Sequence, residues 1–356
     1  MTPEPRLATA HLRASVQGTL DEFLAEQAQI LAEISADLVP FTDWLGELLA
    51  GGKRLRPAFC MWGYLGAGGA DLDRALHAAA SLELLQACAL VHDDVMDDSD
   101  MRRGKPAAHR RFATLHRGSG WAGDSQRFGD GAAILLGDLC LSWADEMLYR
   151  SGFPAEALMR AKVVYDRMRT ELMGGQYLDL AEQARGGGSV ERALLVVRYK
   201  SAKYTIERPL HLGAALAGAD QAFMDALSGY GLPLGEAFQL RDDVLGVFGD
   251  PAATGKPAGD DLREGKRTIL VATAMQRATT EQAAHLREGL GDPHLAADAI
   301  DDLRGIIVAT GALDEVEALI GLRTEEAVAA LDGADLAADA RAALEQLAVA
   351  ATARSV

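Results

Sequence analysis

One stretch of the chain limits its possible folds more than any other. Residues 71–98, DLDRALHAAASLELLQACALVHDDVMDD, are apolar on nearly every helical face until they end in Asp93-Asp94-Val95-Met96-Asp97-Asp98. As one helix this stretch has ~28 residues and runs about 42 Å at 1.5 Å per residue. A helix that is apolar all round belongs in the middle of a bundle. Other helices are therefore expected to surround it, with its acidic end at the mouth of a core. Apolar positions also recur at three and four residues in LDEFLAEQAQILAEISADL (20–38) and AAILLGDLCLSWADEMLYR (132–150), the helical period. Runs that alternate with period two between turn signals are absent. LLVVRY (194–199) is partly β-branched, but it continues into KSAKYTIERPLHLGAAL and fits a buried helix equally well. The expectation is an all-α chain, one large helical bundle spanning 1–356. Its motif-bearing core covers about 50–270, and Ala/Leu/Glu/Asp-rich helices fill about 280–356. Glycine-rich breaks fall at 50–52, 66–69, 117–131, 185–189 and 249–259, and 117–131 and 249–259 are long enough for functional loops.

Composition narrows the function. Of 356 residues 49% are hydrophobic, enough for one large core or two ordinary ones. A formal net charge of -17 sets the surface against nucleic acid and anionic membranes. Cys60, Cys88 and Cys140 form no CxxC or metal-ligand spacing, and on apolar stretches they read as buried free thiols in a reducing compartment. MTPEPRLATAHLRAS lacks the apolar core of a signal peptide. No run of eighteen apolar residues is free of charge, so a cytoplasmic chain that does not span a membrane is expected.

The chemistry lies in two acidic and three basic clusters. Asp93 and Asp97 are four apart and stack on one helical face. Like charges so placed need compensation. Mg²⁺ provides it by taking one or two carboxylates and filling its other positions with water and phosphate. A solvated acidic helix end gives the same pattern, although carboxylates are disfavoured at the negative end of the helix dipole. Asp242-Asp243 ends a second apolar run, GEAFQLRDDVLGVFGD (235–250). Alone it reads as surface; with the first cluster it could hold metal ions across a bundle. GGKRLRP (51–57), MRRGKP (101–106) and TGKPAGDDLREGKRT (254–268) supply the cations. Any one of them suits a solvated surface. However, Arg102 and Arg103 follow the first acidic cluster, and Lys256 and Lys266 follow the second. Metal carboxylates beside phosphate-binding cations imply a substrate with two or more phosphates. No Walker loop or GxGxxG fingerprint supports nucleotide binding.

Taken in order, GGKRLRP, LVHDDVMD with RRGKP, and GEAFQLRDDVLG with TGKPAGDDLREGK resemble the motifs of the trans-isoprenyl diphosphate synthases (polyprenyl synthetases), most like a geranylgeranyl diphosphate synthase. The resemblance covers roughly residues 50 to 270. It implies an isoprenoid synthase fold around a central cavity, a homodimer, three Mg²⁺ ions, and two substrates, isopentenyl diphosphate and an allylic diphosphate. Carried over by motif, Asp93 and Asp97 match metal ligands with Asp94 adjacent, and Asp242 matches the main second-motif ligand with Asp243 in support. Lys53, Arg56, Gln86 and Arg103 match the isopentenyl diphosphate pocket. Arg102, Lys200 and Lys256 match the allylic diphosphate site, with Lys266 assisting. Ser201 and Gln239 match positions near the developing carbocation, although both Gln86 and Gln239 also suit hydrogen bonding inside helices. His92 resembles a base or ligand but fits helix packing better. The sequence departs from the family at Gly246, where a third Asp is usual, and at Ser201, where the common pair is Lys-Thr.

Product length should follow from what blocks the tunnel beneath Asp93. Ala89 and Cys88 are small, where enzymes of this family that stop at fifteen carbons often carry an aromatic side chain. Leu85 and then Leu82 are the next plugs, each about 5 Å deeper. A twenty-carbon product, geranylgeranyl diphosphate, is expected, with longer-chain or farnesyl products as alternatives. A terpene cyclase shares the fold and the first motif but has no use for GGKRLRP. A non-catalytic synthase subunit would be free to lose its carboxylates.

Overall fold

The long apolar stretch forms a single helix, Leu72–Met96, in a computed structural model of the chain that describes residues 9–186, 188–250, 259–292 and 294–352. Asp71 caps its start by accepting from the Arg74 N–H, and Asp97 stands at its C-cap. Sixteen α-helices are present among the described residues: α1 Thr9–Ile34, α2 Val39–Leu49, α3 Leu55–Gly66, α4 Leu72–Met96, α5 Ala108–Gly118, α6 Ser125–Tyr149, α7 Ala155–Arg185, α8 Val190–Val196, α9 Arg208–Ala217, α10 Gln221–Phe248, α11 Asp260–Arg263, α12 Ile269–Arg277, α13 Thr280–Gly289, α14 Ala297–Ala309, α15 Ala312–Ala330 and α16 Ala338–Thr352. Val197–Glu207 is wound as a π-helix between α8 and α9. The described strands are a two-residue pair, β1 Met101–Arg102 and β2 Lys105–Pro106.

Chain contacts gather into two units. One contains the described residues up to Val163 together with Pro209–Ala219 and Ala337–Ala340. There α4 packs along α6, with α1 and α3 also against it and α5 on α6. Leu82, Leu84, Leu85, Cys88 and Val91 of α4 are buried, as an all-round apolar helix requires. By length and composition α4 could cross a bilayer, yet 67% of its apolar window is buried within the protein. The thiols of Cys60, Cys88 and Cys140 are free and buried, and burial pushes the Cys60 thiol up to about 12.

The other unit contains Val164–Arg208, Asp220–Leu336 and the described residues from Arg341. Here α10 packs against the π-helix and α15. Its core joins Val197, Leu240, Val244, Val247, Leu262 and Leu270 to Leu286, Ile307 and Ile320. Arg241 holds Glu317 through both guanidinium nitrogens, at 2.5 and 2.6 Å. It also donates to the Thr352 carbonyl at 3.1 Å, which ties the end of α16 to α10.

The glycine-rich segment 117–131 is a loop only over 119–124, and helix resumes from Ser125. Asp124 accepts from the Gln126 and Arg127 N–H groups and starts α6 there, an N-cap strong enough to begin a helix ahead of Gly129 and Gly131. Most of 249–259 lies outside the described residues.

Candidate active site

In the first unit, the acidic end of α4 meets a cationic hairpin. The chain leaves α4 through Asp97, whose N–H donates to the Asp93 carbonyl at 2.8 Å, so the two aspartates keep their one-turn stacking. It then reverses through β1 and β2, pairing Arg102 with Lys105 across a two-residue turn. Arg103 and Gly104 both have positive φ, 52 and 74°, as a primed hairpin turn requires. Arg103 bears the strain that glycine avoids. This turn directs Arg102 back onto the acidic motif. Its Nε donates to Asp94 Oδ1 at 2.8 Å, and its guanidinium lies 3.6 Å from Asp93 Oδ2.

Arg103 points to the GGKRLRP loop. Its guanidinium donates to the Leu48 carbonyl at 2.6 Å and passes over Gly52, where an added Cβ would lie 3.3 Å from it. Gly51 and Gly52 take φ of 91 and 97°, a conformation that suits glycine and lets the loop turn into α3. Burial, above all, pushes the Arg103 pKa down; Glu83 opposes this, while Arg54, Arg102 and Arg56 add to it. Four arginines thus share one neighbourhood beside the carboxylates of α4. Lys53 is exposed and Arg56 half-buried at the start of α3. Arg54, between them, turns inward to Glu83 and the Leu49 carbonyl, and donates to Gln17 Oε1 at 2.6 Å. Sequence alone does not separate Arg54, which anchors the loop, from its neighbours.

Gln86 and Ala89 are half-buried, as is Asp93, and the spacings of seven and four place them on its face of α4. Cys88 and Leu85 are fully buried. The Cys88 sulfur lies 3.8 Å from His92 Nδ1, and its thiol is pushed up to about 12 by burial and then by Asp138. His92 Nε2 makes a 3.0 Å hydrogen bond with the Ile134 carbonyl, where Gly137 of α6 leaves room for the ring. That contact gives His92 the helix-packing role.

In the second unit, α10 and the π-helix bring the remaining polar positions together. Lys200 donates to Asp179 Oδ2 at 2.6 Å. Ser201 donates to Gln239 Oε1, and Gln239 Nε2 donates onward to Asp243 Oδ1 at 2.7 Å. Asp242 is exposed and Asp243 buried. Burial is the chief force raising the Asp243 carboxyl well above its ordinary range; the Gln239 hydrogen bond opposes it, and Asp261 and Asp242 reinforce it. Lys266 lies 2.6 Å from Glu264 Oε2 and 3.6 Å from Asp261 Oδ1. Lys256 lies outside the described residues. Asp179, Asp261 and Glu264 were not expected from the sequence. Asp261 and Glu264 stand within the GDDLREGK motif without marking themselves, and Asp179 is one polar position in an ordinary helix.

The donor sets are all oxygen, as hard divalent cations require. Among the described residues no three His, Cys, Asp or Glu side chains gather around one metal position.

The Polyprenyl synthetase family profile matches residues 41–307. Among solved structures, a geranylgeranyl pyrophosphate synthase from Corynebacterium glutamicum, complexed with isoprenyl diphosphate and magnesium, is 46% identical with a TM-score of 0.94, covering 98% of this chain and 99% of that one. A geranylfarnesyl diphosphate synthase of Aeropyrum pernix is 35% identical over 282 residues, 78% of this chain and 82% of that protein. A geranylgeranyl diphosphate synthase of Saccharolobus solfataricus is 32% identical over 260 residues, 72% of this chain and 73% of its own.

Proposed function

The chain belongs to the polyprenyl synthetase family, and on that premise we propose that it condenses isopentenyl diphosphate with an allylic diphosphate to give a longer all-trans prenyl diphosphate. The observation that carries this reading is the Arg102 guanidinium held on Asp94 and 3.6 Å from Asp93, with Arg103 beside it turned over the GGKRLRP loop. A cationic cluster beside acidic groups is what a metal-bound diphosphate requires.

Asp93 and Asp97, and Asp242 with Asp243 in support, would hold Mg²⁺, with three ions expected by family likeness. Bound there, Mg²⁺ supplies electrostatic neutralisation of the departing diphosphate. The protein's own cations act on the same charge. By family likeness Arg102 and Lys200 would each bind allylic diphosphate oxygens, and Lys53, Arg56 and Arg103 those of isopentenyl diphosphate. Positive charges holding those oxygens would lower the cost of breaking the allylic C–O bond, because negative charge develops on the departing diphosphate. Ser201 and Gln239 present oxygen dipoles that favour the allylic cation. The apolar side chains of α4 keep water from that cation. The alkene carbon of isopentenyl diphosphate then forms the new C–C bond, and the proton lost from the adjacent carbon passes to the released diphosphate. No side-chain base is called for.

The product is proposed to be the twenty-carbon geranylgeranyl diphosphate, with Leu85 as the tunnel floor. A cytoplasmic homodimer is proposed with it, supported by Ile134 and Leu135 on α6 and Met159 and Val163 on α7, large apolar side chains that are exposed in the single chain. Two incubations test the reaction. With an allylic diphosphate and Mg²⁺ alone, no new hydrocarbon should form; adding isopentenyl diphosphate should give chain elongation. A cyclic hydrocarbon in the first incubation would instead identify a cyclase.

A further inference from the structure

The GGKRLRP loop takes a left-handed backbone at Gly51, Gly52 and Arg54, with φ of 91, 97 and 54°. A backbone so bent persists only where its surroundings fix it, and part of that hold comes from α1. Leu12, Val16 and Leu20 are buried on one face of this helix and seat it on the core. Arg13, Gln17 and Asp21 follow at intervals of four on the neighbouring face, where residues so spaced stand one above the next. Gln17 Oε1 accepts from the Gly51 N–H at 3.3 Å and from the Arg54 guanidinium at 2.6 Å. Gln17 Nε2 donates to Asp21 Oδ1 at 2.7 Å, which fixes the amide with its oxygen toward the loop. One turn earlier, Arg13 Nε donates to the Lys53 carbonyl at 3.4 Å. The loop is thus held from α1 at Gly51, Lys53 and Arg54.

We propose that Gln17 is a positioning residue for isopentenyl diphosphate: from α1, ahead of every motif that resembles the family, it sets the path of the loop that presents Lys53 and Arg56. The proposal rests on the isopentenyl diphosphate reading of that loop. Lys53 and Arg56 lie on either side of Arg54, so a loop that relaxes at Gly51 and Arg54 displaces both cations from the phosphate oxygens. A displacement of about 1 Å is enough to be felt in turnover. The cations proposed for the allylic diphosphate are held by other groups, Arg102 by Asp94 and Lys200 by Asp179, so the effect falls on one substrate of the two. A simpler alternative makes Gln17 only a partner of the buried Arg54–Glu83 pair, which stabilises the fold and treats both substrates alike.

Steady-state elongation by the full-length protein, with isopentenyl diphosphate and the allylic diphosphate varied in turn at saturating Mg²⁺, separates the two. Gln17→Met removes the acceptor with little change in volume. It should raise KM for isopentenyl diphosphate about tenfold, as loss of a hydrogen bond to a charged group does. It should leave kcat and the allylic KM within about twofold, because only binding of the one substrate is lost. Arg13→Met, at an exposed position, should raise the same KM about threefold, its bond being longer and weaker. Gln17→Glu combined with Asp21→Asn exchanges which partner carries the carboxylate, keeps an acceptor for the loop, and should return KM to near the wild-type value. The proposal is overturned if Gln17→Met leaves KM for isopentenyl diphosphate unchanged or raises both KM values alike. It is also overturned if the exchanged pair, melting as the wild type does, fails to recover. Should Gln17→Met not fold, Arg13→Met decides alone by the same contrast between substrates. Wild-type protein that elongates nothing would instead sink the synthase reading, and the proposal with it.

Discussion

Arg54 sits between Lys53 and Arg56, the cations proposed for substrate phosphate, and does different work. Its side chain and that of Glu83 are 2% and 6% exposed, so removing one partner strands the other's charge in the core. Arg54→Met should therefore cost about 3–5 kcal/mol of stability in urea denaturation, whereas Arg54→Met with Glu83→Leu should cost much less. Equal losses would mean that the pair is not what anchors the loop. His109 gives a pH dependence. It is fully buried on α5, and burial, then Arg110, depresses its pKa below the ordinary 6.5, with Asp130, Asp98 and Asp100 opposing. The unfolded chain then takes up the proton first. Stability is complete above the ordinary value and declines as pH falls from there toward the folded pKa. Melting temperatures from neutral to mildly acid pH should show this decline, and His109→Gln should flatten it. At this scale the sequence marks which residues carry charge but not where they turn. Lys53, Arg54 and Arg56 look alike in GGKRLRP, and the left-handed backbone at Arg54, φ 54°, sends that side chain inward.

The elements were more legible than their residues. Apolar spacing locates α4 and α6, and the acidic end of α4 falls where the sequence places it. The helical part of 117–131, from Ser125 on, was not legible, because its glycines look like breaks while a single carboxylate, Asp124, decides the start of α6. Gly129 belongs within that helix, since a Cβ there would strike the His109 carbonyl. The π-helix at Val197–Glu207 has no compositional signature, yet it carries both Lys200 and Ser201, a common setting for functional residues. On α4 the testable position is Leu85, buried eight residues before Asp93. Leu85→Ala removes a plug about one turn, or 5 Å, beneath the small pair Cys88 and Ala89. Chromatography of the products should show a shift to longer chains. An unchanged distribution would place the floor elsewhere.

For the whole molecule, the fold class follows from the absence of alternating strands and the dominance of one apolar helix. The grouping of contacts into two units does not, because no linker or change in composition marks a boundary; unit boundaries at Val163 and Arg208 fall inside or beside continuous helices. The carboxylate pair Asp242 and Asp243 is legible as a cluster, but the approach of Asp261 to Gly246 is not, since it comes only through the packing of α11 on α10. The measurement that bears most directly on the central claim is elongation itself. Purified full-length protein is incubated with Mg²⁺, labelled isopentenyl diphosphate and each allylic primer in turn, and the products are sized. A dominant twenty-carbon prenyl diphosphate, abolished by chelating the metal, is the predicted result. No elongation with any primer, in protein shown to be folded, would contradict it.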